Sequence, residues 1–373
     1  MSMSDRQAHA LELYKKLGTK SAVAREMGVN ESTARRLINR ALLWEDAEVG
    51  HAAAIEATGL DISSAKHGWR IIQHPDGSRD SVFWKQDGPE IETQSIADAI
   101  KEAMKDVPPP PRIVEKDSFA SNTCCVFPVA DLHMGLLTDR EEVGHDWDTK
   151  KAVKVFEDTF GTLVARTPNA SVAILAQLGD LTHNDDQKNV TPQSGHQLDV
   201  DSRYFIIVRR AVAAMKWAID ALRQKYPKVV YRGCRGNHDM TTHIAVTIAL
   251  AEHYRDCEDV EIVDSASEFY CHQYGQNMFV FHHGDRAKPE RLLPFVANEW
   301  PKMWGNTRHR VTFSGHVHHE WAKELAGMLF RSVGTIIPRD VHAFSNAYGS
   351  NRCLMSFTYD KEQGEVASAR VNL

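Results

Sequence analysis

The sequence predicts an α/β protein, a layered core of strands and helices preceded by a small helical module. Three observations carry this. From Thr123 onward strand-like and helix-like segments alternate, and beyond about Tyr254 the pattern turns β-rich, as in mixed layered folds. The run from Val107 to Pro111 holds four consecutive prolines and continues into a polar stretch, which reads as a stiff linker. A length of 373 residues fits one large domain plus a smaller one.

The elements follow in order. Residues 1–45 read as helical. Leu11, Leu13 and Leu17 suggest an apolar stripe broken at Gly18, and a short helix follows from Lys20 to Met27. Gly28 opens a turn, and Asn30 or Ser32 would cap a third helix carrying Ala34, Leu37, Ile38 and Leu42 on one face. Residues 46–106 form an accessory segment. Within it, Gly68 to Lys85 reads as a hairpin turned at Pro75-Asp76-Gly77, and a helix spans about Thr93 to Met104. Residues 107–122 are the linker, and 123–373 the large domain. There, strands are expected at Cys124–Val129, Ser171–Leu178 and Lys228–Cys234. Helices are expected at Trp147–Ala165, Tyr204–Tyr226 and His243–Tyr254, and five further strands between Glu268 and Tyr359.

Composition narrows the function. At 42% hydrophobic and 25% charged residues, disorder is not the default. A net charge of −6 argues against a uniformly basic nucleic-acid binder but leaves room for a local basic patch. The apolar runs are too short for a membrane span and Met1 to Arg6 lacks a signal-peptide core, so no membrane partner and a cytoplasmic location are expected. None of the six cysteines forms a CxxC pair, so they read as buried and reduced.

Histidine, with 19 copies, is more informative. Asp131-Leu-His133 follows the first strand, and residues two apart on an extended chain face one side, so both side chains would grip one metal while Leu132 points inward. Gly179-Asp180 follows the next strand, with Gly179 allowing close backbone approach. Gly236-Asn237-His238-Asp239, His282-His283-Gly284 and Gly315-His316-Val317-His318 each follow further strands. Singly these motifs are common. Together they supply imidazoles, carboxylates and one amide without thiolate, which suits manganese first, with iron or zinc also possible.

The ordered set DxH, GD, GNHD, HG, GHxH resembles the calcineurin-like metallophosphoesterase superfamily, over Asp131 to His318. The resemblance implies two mixed β-sheets packed face to face and flanked by helices. It also implies two divalent metal ions. Asp131, His133, Asp180 and His318 would hold one; Asp180, Asn237, His283 and His316 would hold the other, with Asp180 bridging. Such ions, roughly 3.5–4 Å apart, would lower the pKa of a bridging water, and the hydroxide would attack phosphorus in line. His238 would stabilise the transition state or protonate the leaving oxygen, with Asp239 orienting its ring. His283, directly before Gly284, matches the family better than His282. The Gly179-Asp-Leu-Thr-His183 segment is similar to the DNA double-strand-break repair nucleases of this superfamily. His183 would then contact the scissile phosphate; the alternative is a solvent-exposed loop histidine. The polar loop from Asn184 to Arg203, with Lys188, Thr191 and Ser194, would overhang the site. Asp285 to Lys288 would hold a phosphate, or is a solvated charge run.

Residues 20–37 resemble a helix-turn-helix, in which Ser32, Thr33, Arg35, Arg36, Asn39 and Arg40 would face DNA. Residues 1–45 carry eight Lys/Arg against five Asp/Glu, opposite in sign to the whole chain. The combination is similar to a class encoded by tailed bacteriophages, which would place the protein in host cytoplasm. The expected function is therefore a DNA nuclease acting as a two-metal phosphodiesterase. The alternatives are a phosphomonoesterase or a small-molecule or phosphoprotein phosphatase, with the N-terminal module as a scaffold, and a non-enzymatic DNA-binding regulator. A homo-oligomer is compatible with all three.

Overall fold

Three parallel β-strands that alternate between two apolar environments organise the large domain. In the computed structural model, Cys124 and Val126 of β3 (Thr123–Val129) pack with Ile174 of β4 (Val172–Gln177) and Val230 of β5 (Lys228–Gly233) against a second sheet. Their neighbours Cys125, Phe127, Ala173, Leu175 and Val229 face the opposite way, into helices. This period-two alternation of apolar residues on both faces is what a doubly covered strand requires.

The structure describes residues 5–31, 33–35, 37, 38, 41, 67–73, 79–85, 98, 100–102, 104, 122–349 and 351–373. The chain divides into two units, Met1–Glu90 and Ile91–Leu373. The expected linker prolines and the hairpin turn lie outside the described residues.

In the second unit a six-stranded sheet has the order β13-β12-β3-β4-β5-β6, where β6 is Val260–Ile262, β12 Cys353–Asp360 and β13 Gly364–Asn372. The pairs from β3 to β6 are parallel, and β12 is antiparallel to both β3 and β13. A five-stranded sheet has the order β10-β11-β9-β8-β7, built from β7 (Tyr270–Tyr274), β8 (Asn277–Phe281), β9 (His309–Ser314), β10 (Trp321–Leu325) and β11 (Met328–Ser332). Both sheets are mixed. Phe279, Phe281, Val311 and Phe313 of the second meet Val126, Ile174, Val230 and Phe357 of the first, and each fully buried side chain of this kind contributes about 1.5–3 kcal/mol.

Helices cover the outer faces. Phe156 and Phe160 of α4 (Thr149–Arg166), Met215 and Ile219 of α5 (Tyr204–Arg223) and Val246 of α6 (Thr242–Tyr254) close one side, and Leu292 and Val296 of α7 (Pro289–Glu299) the other. The short helices α3 (Arg140–Val143), α8 (Pro301–Asn306) and α9 (Val341–Ser345) complete the set. The edge strands β10 and β13 escape sequence reading because their exposed residues interrupt the apolar pattern. All six cysteines are free. Among the described residues no helix is long and apolar enough to cross a membrane.

In the first unit, α1 (Asp5–Leu17) and α2 (Lys20–Glu26) pack around Ala10, Val23, Ala24, Ala34 and Ile38. Gly28 takes the left-handed turn at φ 63°. Asn30 accepts the Thr33 N–H at 2.8 Å at the start of the helical backbone that follows, and Ser32 lies outside the described residues. Leu17 is exposed, so α1 buries Ala10 and Leu11 instead of the full leucine stripe. Strands β1 (His67–Gln73) and β2 (Arg79–Lys85) pair antiparallel, with Trp69 opposite Phe83.

Candidate metal centre

Five loops that leave the C-terminal ends of parallel strands converge at one rim: those after β3, β4 and β5 of the first sheet and after β8 and β9 of the second. That edge is where open α/β sheets gather ligands. The loops do not continue the strands. Asp131, His133, Asp180, His316 and His318 sit at φ 53°, 40°, 50°, 69° and 57°, all left-handed. The extended chain expected at Asp131 and His133 is therefore corrected: the strand has ended, and both residues reach the centre from left-handed backbone, as do His316 and His318 after β9.

Such backbone costs on the order of 1–3 kcal/mol per residue and persists only where neighbours hold it. They do so here. Asp131 N–H donates to the Gly179 carbonyl at 3.1 Å and His133 N–H to the Asp180 carbonyl at 2.9 Å. Thr335 Oγ1 donates to the Asp131 carbonyl at 2.7 Å. His316 N–H donates to both Asp131 carboxylate oxygens at 3.0–3.1 Å. Two glycines provide the space. A Cβ on Gly179 would fall 2.5 Å from His283 Nδ1, and one on Gly236 only 1.9 Å from Asp180 Oδ1.

The donors form two neighbouring sets, Asp131 with His133 and His318, and Asp180 with His283 and His316, each with its donor atoms within 4.8 Å of one another. Asp180 stands between them, its Oδ2 lying 3.7 Å from His133 Nε2 and 3.3 Å from His283 Nε2. His133 Nε2 and His318 Nε2 are 3.2 Å apart, as are His283 Nε2 and His316 Nδ1. Asn237 Oδ1 lies 3.0 Å from His283 Nε2. The geometry thus brings together all seven residues proposed as ligands. His283 Nδ1 faces the Leu178 carbonyl at 2.8 Å, which places its proton there and leaves Nε2 for the centre. His282 turns away and stacks on Phe269.

The electrostatics suit a cation. Asp131 and Asp180 are almost wholly buried. Burial pushes the Asp131 carboxyl up to about 8, a rise that His283 opposes and the charge of Asp180 reinforces. Burial raises Asp180 too, but His283 and His238 beside it outweigh that and hold it well below the usual carboxylate range. Burial lowers His133 well below its usual value and His318 to about 4, leaving both neutral and able to donate a lone pair. His283 is the exception: burial would lower it, but Asp180 beside it outweighs that and holds it up at about 10, so a divalent ion of borderline to hard character would bind here by displacing protons from His283 and Asp131.

The other expected residues take distinct places. Half-buried His238 donates from Nδ1 to the His183 carbonyl at 2.8 Å, and its ring stands edge-on to His133 at 4.7 Å. Asp239 does not orient that ring. It is fully buried, and its carboxylate accepts N–H groups of Gly236, Leu181 and Asp180 at 2.7, 2.7 and 3.2 Å, tying the β4 and β5 loops together. His183 is neither solvent-exposed nor turned outward; it is 3% exposed and lies against His133. Of the residues expected to face DNA, Arg35 is exposed and Thr33 half-buried. Ser32, Arg36, Asn39 and Arg40 lie outside the described residues.

The loop after Asp180 crosses to the second sheet's side, with the Gln193 amide oxygen accepting from Arg286 at 2.8 Å. Within it, Lys188 pairs with Asp186 and Thr191 with Ser194. Arg286 also pairs with Asp285 and Glu268, so its charge is balanced within the protein. Two residues carried no sequence signal. Buried Arg235 braces the Asn237 loop through Glu268 at 2.6 Å and Asp285 at 3.1 Å. Asp185 accepts the Thr241 and Thr242 N–H groups and so anchors the start of α6.

No family model and no curated protein matches the chain. Solved structures do. A predicted phosphoesterase from Streptococcus pneumoniae is 12% identical, covering 67% of this chain and 98% of its own, at a TM-score of 0.30. A phosphoesterase from E. coli is 13% identical, with 66% and 98% covered and a TM-score of 0.29. A purple acid phosphatase from yellow lupin seeds is 9% identical, with 82% and 59% covered and a TM-score of 0.30.

Proposed function

We propose that the chain is a two-metal phosphodiesterase that acts on DNA. The observation that carries the hydrolase part is the placement of Asp180, its Oδ2 within 3.7 Å of one donor set and 3.3 Å of the other. Asp131, His133, Asp180 and His318 would hold one divalent ion, and Asp180, Asn237, His283 and His316 the second. Bound there, the ions would supply Lewis-acid chemistry, neutralising charge on a phosphodiester and activating water for in-line attack.

The protein's own groups do the rest. Hydrogen bonds from His316 N–H to Asp131 and from His238 N–H to Asp180 Oδ1 at 2.8 Å hold the carboxylates in place. His238, with its Nδ1 proton committed to the His183 carbonyl, has Nε2 left to hold or pass the proton that the leaving oxygen requires. His316 and His318 are more exposed than the other histidine donors, so substrate would enter from their side.

Support for DNA comes from the first unit. Its small core supports a Gly28 turn and an Asn30-capped helical stretch with Arg35 exposed, and residues 1–45 are basic, eight Lys/Arg against five Asp/Glu, within an acidic whole. Manganese fits the nitrogen- and oxygen-donor set, as do iron and zinc.

The test is hydrolysis of bis-p-nitrophenyl phosphate, p-nitrophenyl phosphate, and single- and double-stranded DNA with manganese, beside an Asp180→Asn control. Cleavage of DNA and the diester, lost in the variant, is the expected result. Turnover of the monoester alone would overturn the nuclease reading and make the protein a phosphatase, with its first unit a scaffold.

A further inference from the structure

We infer that His183 is a positioning residue, an imidazole that accepts the Nδ1 proton of His133 and so decides which nitrogen His133 presents to the metal centre. The inference rests on the metal-centre reading above. Its basis is a pair of atoms, His183 Nδ1 and His133 Nδ1, 3.2 Å apart between buried rings.

Two imidazole nitrogens at that distance form a hydrogen bond only if one carries a proton and the other a lone pair. The opposite edge of His133 settles which. Its Nε2 faces His318 Nε2 at 3.2 Å and Asp180 Oδ2 at 3.7 Å, so the lone pair that a metal needs lies on Nε2 and the proton on Nδ1. His183 must then accept at Nδ1 and carry its own proton on Nε2.

The backbone keeps the two rings in register. His183 N–H donates to the Met134 carbonyl and Met134 N–H to the Leu181 carbonyl, both at 2.9 Å, locking the segment after His133 to the segment after Asp180. The same residue serves His238 twice, by its carbonyl at 2.8 Å and by ring stacking at 5.3 Å with planes 19° apart. A side chain 3% exposed with Nδ1 engaged in this way is badly placed to meet a phosphate arriving from solvent.

Ligating histidines usually donate their second N–H to a carboxylate, carbonyl or water. Here the acceptor is a second imidazole. It is uncharged and planar, so it fixes the orientation of His133 without adding the negative charge a carboxylate would bring.

The experiment is a zinc titration of the full chain against a competing chelator, with metal content measured on the wild type, His183→Leu and His183→Asn. Leucine removes the acceptor, whereas asparagine can place Oδ1 about where Nδ1 stands. The wild type should bind two zinc ions. His183→Leu should weaken one of them about 10- to 100-fold, and His183→Asn should recover to within a few-fold.

Unchanged affinity in His183→Leu would overturn the inference, and so would equal weakness in both variants. A third zinc in the wild type that His183→Leu loses would make His183 a ligand, since His133, His183 and His238 also lie within mutual reach. A wild type that binds no zinc would sink the metal centre itself. Should His183→Leu not fold, long-range proton–nitrogen NMR of the zinc-loaded wild type decides alone: the proton on His133 Nδ1 and His183 Nε2 is expected, and the reverse pattern overturns the inference.

Discussion

The metal-centre rim and the first unit hold in opposite ways the residues proposed to act. On the rim, five loops present seven donors, and three of them are tied down by a neighbour's backbone, Asp131 under the His316 N–H, Asp180 under the His238 N–H and His283 against the Leu178 carbonyl. In the first unit a few small residues, Ala24 and Ala34 among them, make the core, and Arg35 stands exposed on it. Rim residues are therefore coupled to one another and to the fold, whereas Arg35 is exposed. Substitutions in the rim should change chemistry and stability together. Substitutions on the helical surface should change one property alone.

The largest effect is expected at Asp180. Asp180→Asn removes the buried charge shared by both donor sets, so turnover should fall to background. Steady-state hydrolysis with metal analysis checks this, and full activity would end the two-metal model. His238→Ala should cost about 10²–10⁴ in rate while metal content stays at the wild-type level; a metal-depleted variant would instead make His238 a ligand. Gly236→Ala should couple the two properties most visibly. Its Cβ would meet Asp180 Oδ1 at 1.9 Å, so thermal melting should register a loss of about 1–3 kcal/mol and metal affinity should drop with it. Chelation should lower the melting temperature of the wild type, because a metal at 100 times its Kd adds about 2.7 kcal/mol per site. The smallest effect is reserved for the first unit. Arg35→Ala with Arg36→Ala should weaken DNA binding and flatten its salt dependence by a slope of up to about 2, leaving bis-p-nitrophenyl phosphate turnover untouched. Unchanged DNA binding would remove the DNA-facing role of these helices.

Much of the core was legible because apolar periodicity reports burial directly. Strands such as β3 and β4, covered on both faces, are continuous apolar runs. Edge strands β10 and β13 were hidden by their exposed, polar residues. The donors were legible for a different reason, their residue types and their order along the chain. The means by which they converge was not. Spacing two after a strand suggests an extended chain, yet Asp131 and His133 are left-handed, a conformation held by the Gly179 and Asp180 carbonyls of a distant loop. Asp239 shows the same limit. Next to His238 in sequence, it belongs in space to the N–H groups of Gly236, Leu181 and Asp180.

Residue types and their order already name the chemical groups the protein owns and the alternating burial that makes two sheets and their covering helices. Tertiary structure alone decided which of those groups touch. It set Asp180 between two donor sets, turned His282 away from His283, and put His183 behind His133. The physical reason is range. Burial patterns are written in residues two to four apart, whereas a metal centre is made by hydrogen bonds and packing between loops up to 204 positions apart, as for Asp131 and Thr335.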